Sequence, residues 1–123
     1  FAVNSDKNIN VITPEYDSNG QLLFRDNLIP MVADRNVLIL ISTVNSGKSI
    51  RRVVECAQYY GGKVQGIAAV FSTLEEMEGV PIYSLFTPED IPGYATYSPE
   101  SCAMCRAGER IDALANSYGL SAL

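Results

Sequence analysis

The sequence predicts an α/β domain with a mainly parallel sheet and flanking helices, joined by an N-terminal hairpin or flap. Three observations carry this. Residues 37–41 are consecutive aliphatic side chains, Val37, Leu38, Ile39, Leu40 and Ile41, too short a run for a helix and suited to a buried parallel strand. After Ser49 the period changes: Ile50, Val53, Val54 and Ala57 fall at i, i+3, i+4 and i+7, one face of an amphipathic helix. Residues 64–71 then return to an apolar run of strand length. Strand, helix and strand in so short a span imply a right-handed crossover between parallel neighbours.

In chain order, Phe1, Ala2 and Val3 form a short apolar run that ends a strand, and Ile9, Val11 and Thr13 alternate with other residues. Tyr16-Asp17-Ser18-Asn19-Gly20 carries the Asn-Gly pair favoured in tight turns, so residues 8–24 are expected to form a hairpin or a mobile flap. Pro30 and Asp34-Arg35-Asn36 punctuate the approach to the central strand. Gly61 and Gly62 end the central helix. Ser72-Thr73-Leu74-Glu75 matches a capping box, which predicts a short helix over residues 74–78, stopped by Gly79. Residues 80–86 are one more strand, with Pro81 tolerated near its start. The chain divides into a core, residues 1–86, and a tail, residues 87–123, whose Pro88, Pro92, Gly93 and Pro99 make it loop-like before one or two short helices expected within residues 101–123, with 111–118 the favoured one.

With 123 residues, 47% of them apolar and 19% charged, the composition is that of an ordinary globular domain. No run approaches the roughly 18 apolar residues that span a bilayer, so no membrane association is expected. Residues 1–10 lack the basic start and apolar centre of a signal peptide. The net charge of −5, with scattered Lys and Arg, argues against a nucleic-acid partner. Three cysteines, Cys56, Cys102 and Cys105, are too few and too odd for a disulfide framework, which fits a reducing cytoplasm. Histidine is absent, which removes Ser-His-Asp and Cys-His catalysis and any histidine-ligated metal.

The chemistry concentrates between the central strand and its helix. The first N–H groups of a helix have no partner inside it, and the macrodipole places partial positive charge there. Gly47 lets a bound group come close to the backbone, Lys48 adds a full charge, and Ser46 and Ser49 add hydroxyls. A phosphate is the guest such a turn accepts; the bland alternative is an ordinary strand-to-helix turn with a solvated lysine. A Walker A loop needs a first glycine where this chain has Ser42, and residues 64–71 end in Ser72-Thr73 without the acid that would hold magnesium, so a P-loop-like nucleotide binder fits poorly.

In the tail, Cys102-Ala103-Met104-Cys105 is a CxxC pair: half of a zinc site, a redox pair, or two partly buried thiols. A full zinc site needs more ligands than one chain supplies, although two chains meeting at an axis would supply four thiolates. Cys56, between Val53 and Ala57, is a small core residue. Tyr94 and Tyr97 are candidates for stacking on a base.

The segment VLILISTVNSGKS resembles the phosphoribosyl-pyrophosphate loop of type I phosphoribosyltransferases, where a hydrophobic strand runs into two acidic residues and a Thr-Thr-Gly-Gly/Lys-Thr/Ser turn. The helix ending in Tyr59-Tyr60-Gly61-Gly62, the strand after it and Gly79-Val80-Pro81-Ile82-Tyr83-Ser84-Leu85-Phe86 follow at the family's spacing, the last looking most like the final core strand of orotate phosphoribosyltransferases. The resemblance implies that Asn45, Ser46, Gly47, Lys48 and Ser49 cradle the 5′-phosphate of a phosphoribosyl pyrophosphate or nucleotide, with magnesium on the pyrophosphate. The family's acidic pair falls on Ile41 and Ser42; Ser42 can still hydrogen-bond a ribose hydroxyl, and Ile41 cannot. Asp6 and Lys7 stand where a loop would close over the leaving group, or else are a solvated surface pair. The implied reaction is phosphoribosyl transfer between pyrophosphate and a nucleobase. The missing carboxylates keep open a second function, a protein of the same fold that binds or senses a nucleotide without turning it over. The family core begins with strands and a pyrophosphate loop upstream of Phe1, so a homodimer or association with a missing N-terminal segment is expected.

Overall fold

The computed structural model describes residues 9–98, 100–116 and 118–123. The chain forms two compact units, one ending at Pro92 and the other running Gly93–Leu123. The strand expected at residues 1–3, and Asp6 and Lys7, lie outside the described residues.

The first unit is mixed α/β around a mainly parallel sheet. Two short strands, β1 (Glu15–Tyr16) and β2 (Leu22–Leu23), pair antiparallel as the predicted hairpin. Its turn is held by Asp17, whose Oδ1 accepts from the amides of Asn19 and Gln21 at 2.8 Å each. Then β3 (Asn36–Val44), α1 (Lys48–Tyr59) and β4 (Lys63–Ser72) form the expected strand–helix–strand unit, with β3 and β4 parallel. β5 (Glu76–Met77) and β6 (Val80–Phe86) complete a sheet of order β3-β4-β6-β5, in which β4 and β6 are parallel and β5 is antiparallel to β6. The flanking helices expected from sequence reduce to α1 in this unit, together with 3-10 turns at Ile29–Met31 and Pro88–Asp90.

The amphipathic stripe of α1 sets the core. Ile50, Val54 and Ala57 are buried with Ile39, Ile67, Ala69 and Ile82 from the strands, and Val53 packs at their border. On another side of α1, Cys56 meets Phe24 and Val32, so residues between the hairpin and β3 form a second small core of their own. Gly62 is required by close approach: a Cβ there would sit 2.8 Å from the Ala57 carbonyl oxygen and 3.0 Å from Val32.

The helix predicted over residues 74–78 is a β-hairpin instead. Glu78 and Gly79 have φ of 52° and 79°, the pair of positive values a two-residue type I′ turn needs. Met77 points into the core. The Ser72 hydroxyl, expected to cap a helix, donates to the Leu74 carbonyl (2.6 Å) and accepts from the Leu74 amide (3.0 Å), satisfying itself in a local turn.

The second unit holds α2 (Ala103–Arg106) and an antiparallel hairpin of β7 (Ala113–Asn116) and β8 (Gly119–Ala122). The helix expected at 111–118 is therefore corrected to a strand and turn. Asn116 Oδ1 accepts the Tyr118 amide at 2.8 Å, and that side-chain turn competes directly with helix continuation.

Candidate functional site

The site lies at the carboxyl end of β3, where the chain turns into α1. β3 carries its strand three residues past the apolar run, through Ser42 and Thr43 to Val44, because Thr43 and Val44 still pair with Phe71 and Ser72 of β4. The loop is tied to the end of β4 twice: the Thr73 amide donates to the Val44 carbonyl (3.0 Å), and the Thr73 hydroxyl donates to the Asn45 carbonyl (2.6 Å). Threonine at 73 is thus a positioning residue that the motif alone did not reveal.

Gly47 is the N-cap of α1, with φ of 76°. It is required twice over. The left-handed conformation disfavours a side chain, and a Cβ would land on the Met77 methyl group and 3.1 Å from Leu74. The β5–β6 hairpin therefore presses against the back of the loop and fixes it.

No side chain caps α1. Among the described residues, the backbone amides of Ser46, Gly47, Lys48 and Ser49 donate to no protein acceptor, while the Gly47 carbonyl accepts from Arg51 (2.9 Å) as the helix begins. The side chains of Ser46, Lys48 and Ser49 border solvent at this turn. Lys48 forms no ion pair among the described residues; the nearby Arg51 is paired with Glu78 at 3.2 Å. What results is a concavity of about 100 Å3 lined by residues 43–50, rimmed by donors and, among the described residues, with no acid in its wall. That is well below the roughly 300–1,000 Å3 of a site enclosing a whole small-molecule ligand, and on the scale of a single oxyanion group.

The structure thus brings together Asn45, Ser46, Gly47, Lys48 and Ser49, and adds Thr43, Val44 and Ile50 to the lining. It does not bring Ser42 into that concavity; Ser42 lies exposed within β3. A larger open concavity of about 750 Å3 runs between the β1–β2 hairpin and α1, bordered by Gln21, Arg52, Glu55 and Tyr59, and sequence reading gave no sign of it.

No group of three or more His, Cys, Asp or Glu side chains is placed to hold a metal among the described residues. Cys102 and Cys105 share one turn in the second unit, with no third ligand beside them among the described residues, and a four-coordinate zinc takes more than two. Tyr94 and Tyr97 belong to that second unit as well. Cys56 is buried in α1, and burial pushes its thiol pKa up.

A strand, a donor-rich turn and a helix N-terminus in this arrangement define a candidate phosphate-binding α/β protein. Comparison with known proteins supports a phosphoribosyltransferase-like relationship. The similar proteins are orotate phosphoribosyltransferases: one from Thermus thermophilus is 32% identical over 96 residues, covering 76% of this chain and 50% of the relative. Another, from Caldicellulosiruptor bescii, is 31% identical over 74 residues, covering 58% of this chain and 37% of the relative. The chain spans about half the length of the curated relatives it matches. No family model matches it.

Proposed function

We propose that residues Asn45, Ser46, Gly47, Lys48 and Ser49 bind the phosphate of a ribose 5-phosphate group, in a protein related to orotate phosphoribosyltransferases. The observation that carries this reading is the set of backbone amides from Ser46 to Ser49, without protein acceptors among the described residues and gathered around a phosphate-sized concavity beside Lys48. Hydrogen bonds to a charged group contribute about 1.5–3 kcal/mol each, so a few of them suffice to hold a phosphate without enclosing the sugar. In the active form of this reading the protein transfers phosphoribosyl between pyrophosphate and a nucleobase in a cytoplasmic setting. The loop fixes the 5′ end, and positioning contributes much of the rate. Magnesium would arrive on the pyrophosphate, since that ion keeps several waters and relies largely on substrate phosphates. Among the described residues, no acidic side chain lines the concavity to hold it.

Ile41 and Ser42 favour a second function, nucleotide binding or sensing without turnover. They occupy the positions of the acidic pair, and loss of a preorganised polar contact costs about 3 kcal/mol in a transition state. Isotope exchange between pyrophosphate and a nucleotide separates the two: exchange supports transfer, and binding without exchange supports the sensor. For partners, the polypeptide corresponding to the uncovered half of the relatives is the proposed cover for the exposed sheet face bearing Leu40 and Leu85; a homodimer through that face is the competing outcome in sedimentation.

The phosphate site itself is tested by titrating ribose 5-phosphate while following amide resonances. Shifts confined to residues 45–50, weakened about tenfold or more by Lys48→Ala, are expected. An unmoved loop under saturating ligand would end the proposal.

A further inference from the structure

The second unit carries a different chemistry. Cys102 caps the N-terminus of α2 with φ of −61° and ψ of 115°, and its Sγ accepts a hydrogen bond from the Cys105 amide at 3.4 Å. Cys102 is half-buried and Cys105 is exposed. Both thiols therefore reach solvent, and the bond from the Cys105 amide to Cys102 Sγ folds the two cysteines into one turn. The geometry points to Cys102 and Cys105 as a dithiol that exchanges reversibly with disulfides, Cys102 attacking and Cys105 resolving.

The two sulfurs are not equivalent. The Cys105 amide, and then the Cys105 thiol, hold the Cys102 thiol below its usual range, against smaller opposing effects from desolvation and then from Glu109. The neighbouring Cys102 side chain in turn raises Cys105. An attacking thiol needs thiolate character, and CxxC pairs supply it to the first cysteine. Zinc is the competing use of two such thiols, but a closed structural site takes four ligands, and no third stands with them among the described residues.

The reaction balances with a disulfide as oxidant. The Cys102 thiolate attacks one sulfur of RSSR; the S–S bond breaks, and RS⁻ leaves and takes up a proton. Cys105 gives its proton to solvent, its sulfur attacks Cys102 in the mixed disulfide, and the second RS⁻ departs. Two electrons pass from the dithiol to RSSR, giving an intrachain disulfide and two RSH. This inference stands apart from the phosphate site, and neither requires the other.

Reduced full chain, incubated with glutathione disulfide and then alkylated, is read by intact mass and peptide mapping. The expected result is loss of two hydrogens and of both alkylation adducts at Cys102 and Cys105, with buried Cys56 unchanged. Cys105→Ser should trap glutathione on Cys102, whereas Cys102→Ser should accumulate much less adduct on Cys105. Equal trapping by both variants, only intermolecular disulfides, or zinc retained on these thiols through purification would each overturn the inference.

Discussion

The two faces of the central sheet differ sharply in how they are covered. On the face toward α1, Ile39, Ile67 and Ile82 are buried, Ile67 completely. On the other, Leu38 and the ring of Tyr83 flank Gly66, yet Leu40, Tyr83 and Leu85 remain 65%, 65% and 75% exposed. Parallel sheets normally carry cover on both faces, and the unbroken apolar run at 37–41 is written for such a setting. The strands therefore have the composition of a two-sided layer, while the described residues of this unit supply helix, α1, for one side. The geometry of the loop at residues 45–49 depends on the covered side, where Met77 and Leu74 back Gly47 at the start of α1.

The largest expected effect comes from breaking the covered face. Ile67→Ala should cost about 2–5 kcal/mol in urea unfolding, whereas Leu40→Ala should stay within about 0.5 kcal/mol. A comparable cost for both would mean that the outer face is covered in solution.

Next is Gly47→Ala. Left-handed backbone costs a side chain roughly 1–2 kcal/mol, and overpacking against Met77 adds about 1–3 kcal/mol. Gly79→Ala is the control, since Gly79 has nearly the same φ (79° against 76°) but open space around its Cβ. It should show only the backbone part, and the difference between the two melts measures how tightly the hairpin backs the loop.

The smallest effect tests the N-terminal hairpin. Arg25 hydrogen-bonds Glu15 at 2.9 and 3.0 Å, and that contact, aided by its charge, lowers the Glu15 pKa. A lowered folded-state value means a contribution present above the unfolded carboxylate pKa and lost as pH falls through the folded one. Both groups are exposed, so salt should screen it. Arg25→Gln should move the Glu15 titration upward, measured by NMR, with melting near neutral pH almost unchanged.

The parts legible in advance share a physical trait: their signals are local. The i, i+3, i+4 apolar stripe from Ile50 to Ala57 does specify α1, and Asn19-Gly20 does specify the first hairpin. Gly47-Lys48-Ser49 marked the loop because a helix N-terminus leaves amides unsatisfied whatever surrounds it. The helices expected at 74–78 and 111–118 failed because their cues have two local uses. Ser72 bonds Leu74 as readily as a helix amide, and Asn116 closes a turn on Tyr118. Thr73 as a tether to the loop was invisible, since its partners are the carbonyls of Val44 and Asn45, far away in sequence.

By itself the sequence determined the strand–loop–helix–strand unit, the donors at its turn and the paired thiols of the tail, because period, glycine placement and spacing act within a few residues. Only the tertiary structure decided which face of the strands is covered, that Met77 closes behind Gly47, and that Ser42 stays outside the concavity. Those outcomes depend on contacts between segments distant in the chain, where packing and strand register choose among local conformations of similar energy.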